Sequence, residues 1–246
     1  MIKNYLFCRV SCAPVRKEAN DISEMVTQFL FGETAKLVHA SEKWFEVKSL
    51  EDGYSGFVDP KQFIQLSEIE KENWLMGRTR YFHSLTLNTP QEKIQLPAGC
   101  FVKDNFTINN QLYAITTKDM PYSDWKSYAL SFLNVAYLWG GRSNFGIDCS
   151  GFTQQIMRYK KVELPRDASQ QVHLGTTIPF EQREIGDIAF FHNTTGKVTH
   201  VGILLEYNKI IHASGFVKID SLTEEGIICS ETQRHTHVLN CVKRFN

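Results

Sequence analysis

The sequence predicts an α+β protein in which two small β-barrels precede a helix-then-sheet domain. Three observations lead there. Residues 1–68 read as short strands broken by polar turns, residues 72–118 repeat that texture more loosely, and the composition changes after Pro121, where a helical pattern comes before three strand patterns. The expected segments are therefore 1–68, 69–120 and 121–246.

In the first segment, residues 6–12 read as one strand and 15–25 as a polar loop. Short strands follow at 29–31, 35–40 and 44–48, then the turn Glu51-Asp52-Gly53 and a strand at 56–58. Strands this short with Asp-Gly turns suit a small barrel. In the second segment, Asn109-Asn110 lies between apolar runs at 106–108 and 112–115 and reads as a hairpin turn. In the third, residues 123–133 read as a helix. A second helix is expected over 151–160, where Phe152, Ile156 and Tyr159 recur at helical spacing. Strand patterns then fall at 187–191, 198–205 and 210–213.

Of the 246 residues, 42% are apolar and 22% charged, ordinary values for a chain that buries a core. Lys+Arg and Asp+Glu each total 27, so no net field draws the protein to nucleic acid or to an anionic membrane. No apolar run approaches the roughly 20 residues of a membrane span. In Met1-Ile-Lys-Asn-Tyr-Leu-Phe-Cys-Arg9, Arg9 interrupts the apolar stretch too early for a secretory signal. The chain reads as a cytoplasmic monomer, or as a trimmed form of an exported protein. The six cysteines show neither a CxxC pair nor metal spacing and read as free thiols, with no metal and no cofactor.

One cysteine stands apart. Cys149 lies between a glycine-punctuated loop (Gly140, Gly141, Gly146) and the expected helix, with Ser150-Gly151 directly after it. These flanks suit a sharp backbone path and close approach of a substrate, so Cys149 is the candidate nucleophile. At a helix N-terminus its thiolate is expected to be favoured and its pKa to fall. His200, in Val198-Thr-His-Val-Gly-Ile203, is the candidate base, and Gly202 beside it is expected to leave space for a ligand. If 206–208 is a hairpin turn and Leu205 pairs with Lys209, His212 lies opposite Gly202, diagonal to His200 on the same face. There it can accept the second N–H of the base and fix its tautomer. Asp167 with Gln170 reads as a capping box opening the next helix, and Gly186-Asp187 as a turn into a strand. His173, His192, His235 and His237 read as surface or structural.

The motif series Tyr137-x-Trp-Gly-Gly141, Asp148-Cys-Ser-Gly151, Leu164-Pro-Arg-Asp167, Gly186-Asp-x-x-Phe-Phe191, Thr199-His-Val-Gly-Ile203 and Ile211-His-Ala-Ser214 resembles the NlpC/P60 family of papain-like cysteine peptidases over residues 121–246. Residues 14–33 together with Gly53-Tyr-x-Gly-Phe57 look like the bacterial SH3 domain that precedes it in one subfamily. The resemblance implies a papain-like domain behind two SH3-like barrels, with Cys149, His200 and His212 catalytic and Tyr137 an oxyanion donor. It further implies a substrate site made by Asp148, Ser150, Asp167, Glu24 and Tyr54. Ala168 stands where relatives often have serine. The implied reaction is hydrolysis of the γ-D-glutamyl–L-diamino acid bond (diaminopimelate or lysine) in murein peptides with a free N-terminal L-Ala, during cell-wall recycling. An exported hydrolase of intact murein, a non-catalytic wall-binding protein, and an acyltransferase or amidase are the rival readings.

Overall fold

The computed structural model describes residues 3–118 and 121–245 and divides into two units, Met1–Tyr122 and Ser123–Asn246. The expected segment edges at 1, 120 and 246 lie outside the described residues.

The first unit is built on a seven-stranded antiparallel sheet. Its spatial order is Met25–Leu30, Cys12–Arg16, Ser55–Val58, Phe45–Ser49, Thr34–Ala40, Tyr5–Cys8 and Phe63–Leu66. The strand expected over 6–12 is broken. Its first part ends at Cys8, and Cys12 opens a strand that runs into the expected polar loop. Tyr5–Cys8 is apolar throughout because both of its faces are covered. Leu6 and Cys8 enter a core with Ala13, Val15, Phe29, Val47 and Val58. Phe7 points the other way, into a core shared with Trp74, Leu85, Leu87, Cys100, Phe106 and Tyr113.

That second core joins residues 69–118 to the first sheet. A helix, Glu68–Leu75, leads into this part; it starts at Ser67, whose hydroxyl caps the Glu70 N–H while the Glu70 carboxylate accepts from the Ser67 N–H at 2.7 Å. The strands that follow form a four-stranded sheet in the order Lys93–Leu96, Leu85–Asn88, Gln111–Lys118, Asn105–Ile108, and a two-stranded pair, Thr79–Arg80 with Phe101–Val102. Asn109 and Asn110 both take positive φ (50° and 63°) in the expected hairpin turn. Charge stitches the same seam. Arg78 grips both Glu51 oxygens at 2.9 and 3.1 Å, and Arg78 and Arg80 stack against the Phe101 ring at 3.9 and 4.2 Å.

In the second unit, six strands close on themselves. Ile188–His192, Val198–Glu206, Lys209–Ser214, Phe216–Leu222, Gly226–Ile228 and His235–Arg244 pair antiparallel in sequence order, and His235–Arg244 returns to pair with Ile188–His192. Thr176–Ile178 extends the outer edge of His235–Arg244. The unit is thus mostly sheet. The expected helix at 123–133 shortens to Trp125–Leu130, capped by Asp124, and Ala168–Gln171 is a single turn. One long helix, Cys149–Tyr159, packs on the Val198–Glu206 and Lys209–Ser214 strands. It is buried from Cys149 to Arg158 rather than along one face. Its polar residues reach loop carbonyls: Gln154 donates to Leu164 at 2.9 Å and Gln155 to Arg142 at 2.7 Å.

Trp74 is 2% exposed and donates its indole N–H to the Gly32 carbonyl at 2.8 Å. Trp74→Ala is expected to destabilise the first unit by about 3–5 kcal/mol, read by urea denaturation; a loss under about 1 kcal/mol would mean the shared core does not hold the two sheets together.

Candidate active site

The loop before Cys149 is held from within by a buried ion pair. Arg166, 2% exposed, places its guanidinium against both Asp148 oxygens, at 3.0 and 2.5 Å. The same Asp148 carboxylate accepts from the Gly140 N–H (2.9 Å), the Gly151 N–H (2.7 Å) and the Ser150 hydroxyl (3.3 Å), and Arg166 also donates to Ser150 at 2.9 Å. Asp148 is therefore the N-cap of the helix and the clasp of the loop at once. The helix begins two residues earlier than the expected 151, so Cys149 is its first residue. Gly151 is required here, because a Cβ would lie 2.4 Å from the Gly141 carbonyl.

The observed register pairs Ile203 with Ile211 and Leu204 with Ile210, with a bulge at Leu205 before Glu206 meets Lys209. His212 consequently lies across from Gly202, and its Nδ1 is 2.8 Å from His200 Nε2. The space above Gly202 is taken by its hairpin partners: a Cβ there would come within 2.8 Å of His212 Cβ and of the Ile210 side chain. The room is for the histidine. On its far side His212 Nε2 lies 3.0 Å from Asp220 Oδ2.

The expected fall in the Cys149 pKa is corrected. Burial pushes the thiol up to about 12, with the Asp148 charge adding to it; Arg166 and the N–H groups of Val201 and Ser150 pull it back. Burial of the sulfur outweighs the helix terminus. The Val201 N–H also locates the sulfur against the strand that carries His200, one residue along. Burial lowers His200 well below the ordinary imidazole value, helped by His212, His237 and Lys218; burial lowers His212 too, against the opposing pull of Asp220. The resting site is a neutral thiol beside neutral imidazoles, and the thiol needs a base at the moment it attacks.

Tyr137 is half-buried on the segment that bridges to Ile147, and its backbone N–H donates to Gly215 at 2.9 Å. Burial and the charges of Cys149 and Asp148 raise its phenol pKa, so the hydroxyl stays a donor. Ser150 belongs to the Arg166–Asp148 cluster. Asp167 opens the turn Ala168–Gln171, its N–H 3.4 Å from the Gln170 carbonyl oxygen of the side chain. Glu24 and Tyr54 belong to the first unit. Glu24 pairs with Lys17 at 3.5 Å, and Glu24 and Tyr54 precede strands that both run antiparallel to Cys12–Arg16, at one end of that sheet.

Three residues of the site escaped the sequence reading. Arg166 lies inside the Leu164-Pro-Arg-Asp167 motif, where nothing in the sequence marks its burial. His237, read as surface or structural, stacks on His200 with ring centroids 4.1 Å apart. Asp220 lies opposite Ile210, hence on the face of His212, and the diagonal rule that placed His212 beside His200 places it too once the turn at Gly215 is taken. Among the described residues no group of three His, Cys, Asp or Glu side chains is set to hold a metal ion.

A cysteine opening a buried helix, packed on the two antiparallel strands that carry a hydrogen-bonded pair of histidines, defines a papain-like cysteine peptidase. Residues 134–235 match the NlpC/P60 family, and residues 15–63 match the bacterial dipeptidyl-peptidase Sh3 domain. Residues 134–235 are thus an NlpC/P60 domain, with a bacterial SH3 domain ahead of it. It is 29% identical to the gamma-D-glutamyl-L-lysine dipeptidyl-peptidase of Bacillus subtilis, over 80% of this chain and 76% of that protein. Its identity to the protein of the same name from Bacillus cereus is 27%, over 84% and 73%. The crystal structure of an NlpC/P60 family protein from Bacillus cereus superposes with a TM-score of 0.81 at 19% identity, covering 98% of this chain and 99% of that one, which speaks for the fold.

Two outcomes follow from this geometry. Arg166→Met leaves the Asp148 carboxylate buried without its partner and is expected to cost about 3–5 kcal/mol in urea denaturation; a loss below about 1 kcal/mol would show the clasp to be dispensable. The buried histidines bind protons less readily folded than unfolded, so their contribution to stability is whole above about pH 6.5 and is lost as pH falls from there toward about 4, the value to which burial brings His237. Calorimetry should show the melting temperature falling over that window, and a melting temperature that holds or rises on acidification would contradict it.

Proposed function

We propose that the protein hydrolyses the γ-D-glutamyl–L-diamino acid bond of murein peptides that carry a free N-terminal L-Ala. The observation that carries this is the buried Cys149 thiol at the first position of its helix, against the strand of a histidine that is itself hydrogen-bonded to a second histidine. In this reading the Cys149 sulfur attacks the γ-carbonyl carbon while His200 takes the thiol proton. The Cys149 N–H and the Tyr137 hydroxyl hold the oxyanion. His200 then protonates the leaving α-amine of the diamino acid, and water releases L-Ala-γ-D-Glu from the thioester.

The name shared by two relatives, together with the matched Sh3 domain, supports release of an N-terminal dipeptide. Such an enzyme must recognise an ammonium group, a task that suits carboxylates and hydroxyls; Glu24 and Tyr54 of the first unit and, separately, Asp167 of the second are our candidates. Asp148 and Ser150 already bond to Arg166, and their part is to hold the loop that substrate meets. Blocking the amine removes the cation and leaves the acids unpaired, so intact murein, with its L-Ala amide-linked, is a poor substrate. This fits recycling of released peptides in the cytoplasm by a monomer without metal or cofactor. We also propose that residues 69–120 are a second SH3-like module, on the support of the short antiparallel strands described within them.

The test compares L-Ala-γ-D-Glu-diaminopimelate, its lysine counterpart and their N-acetylated forms. Cys149→Ala is expected to abolish cleavage of all of them, and acetylation to slow the wild type at least about 100-fold. Activity surviving in Cys149→Ala would overturn the mechanism. Equal rates on free and acetylated peptides would overturn amine recognition and favour an enzyme of intact murein.

A further inference from the structure

Behind the histidine pair lies a carboxylate that neither the family resemblance nor the sequence reading used. Asp220 is 1% exposed, and a backbone N–H, an ammonium group and a histidine nitrogen surround it. Its Oδ1 accepts from the Ser230 N–H at 2.8 Å, and its Oδ2 meets the Lys218 ammonium at 3.3 Å and His212 Nε2 at 3.0 Å. We propose that Asp220 is a positioning residue that sets the tautomers of both histidines, so that the unprotonated nitrogen of His200 is Nδ1, the one not bonded to His212.

The argument is one of hydrogen counting along a chain. An ionised carboxylate only accepts, so the proton between Asp220 and His212 sits on His212 Nε2. A neutral imidazole carries one N–H, which leaves His212 Nδ1 as a lone pair. His200 Nε2, 2.8 Å away, must then be the donor, and a neutral His200 is left with a bare Nδ1. Had Asp220 been a donor, both rings would flip tautomer and His200 would offer an N–H where the reaction needs a base. The charges agree: burial opposes ionisation of Asp220, but bonds from His212 and the Ser230 N–H and the charge of Lys218 hold it well below the carboxylate range, while burial keeps both histidines neutral. The groups facing this chain are Lys218 and Cys229 beside Asp220, His237 stacked on His200, and Cys149 with Asp148 and Arg166 on the helix side.

The consequence for the reaction rests on the peptidase reading, but the tautomers do not, so two measurements separate them. In wild-type protein with isotope-labelled histidine, long-range proton–nitrogen correlations, assigned by single His→Gln variants, are expected to show Nε2–H tautomers for both His200 and His212. An Nδ1–H tautomer at either, with no substrate involved, overturns the proposal. In Asp220→Asn, Oδ1 still accepts from Ser230, so the amide NH2 faces His212 and reverses the chain. The expected result is a fall in kcat on the order of 10²–10⁴ with KM nearly unchanged. The deficit should shrink as pH rises, because a thiolate formed by alkali attacks without a base. A kcat within about threefold of wild type, or a deficit independent of pH, would reduce Asp220 to a structural residue. If the variant does not fold, the wild-type tautomers still decide.

Discussion

The peptidase unit depends on the ion pair between Asp148 and Arg166. A carboxylate that accepts from the Gly140 and Gly151 N–H groups while bound to a buried guanidinium joins the two ends of the nucleophile loop and starts the helix beneath it. Cys149 has no freedom left: it is the residue after the cap. Burying two charges this deeply is favourable only because nearly every lone pair and proton of the pair is matched. The arrangement also draws Asp148 and Ser150, both expected at the substrate, into hydrogen bonds with Arg166. Their polar groups are used in making a rigid loop.

Rigidity at the nucleophile creates a second constraint. A thiol with its sulfur walled in is hard to ionise, and the helix terminus does not compensate. The protein answers with a base rather than with a standing charge. His200 and His212 share a face because Gly202 lets His212 come close across the hairpin, and the neighbouring strand supplies Asp220 to the same face. Three consecutive strands thus contribute one residue each to a hydrogen-bonded line, on a strand whose Val201 N–H meets the sulfur. An antiparallel sheet suits this, since its register fixes each diagonal neighbour to within a residue.

Much of this line was legible in the sequence and some was not, for reasons that differ by residue. The hairpin at 206–208 fixed the parity of His200 and His212, and the bulge at Leu205 did not disturb it because pairing at Ile203 and Leu204 keeps the same register. Asp220 follows from the same rule applied to the next turn. The helix Glu68–Leu75 carried its signal too, the Ser67-x-x-Glu70 box, hidden by a segment otherwise read as strands. By contrast, nothing local says that Arg166 is buried, that His237 stacks on His200, or that the sulfur is shielded enough to reverse the effect of the helix terminus. Those depend on what packs against them from elsewhere in the chain. The break after Cys8 did have a local signal, because Arg9 and Ser11 interrupt the apolar run there.

The central claim is that a single thiol carries the acyl group. Rapid quenching of the enzyme with L-Ala-γ-D-Glu-diaminopimelate, followed by mass spectrometry of the protein and its peptides, tests it most directly. The account predicts an L-Ala-γ-D-Glu thioester on the peptide containing Cys149, formed as the diamino acid is released and discharged by water. An adduct on any other residue, or full turnover by protein whose Cys149 has been alkylated, would contradict it.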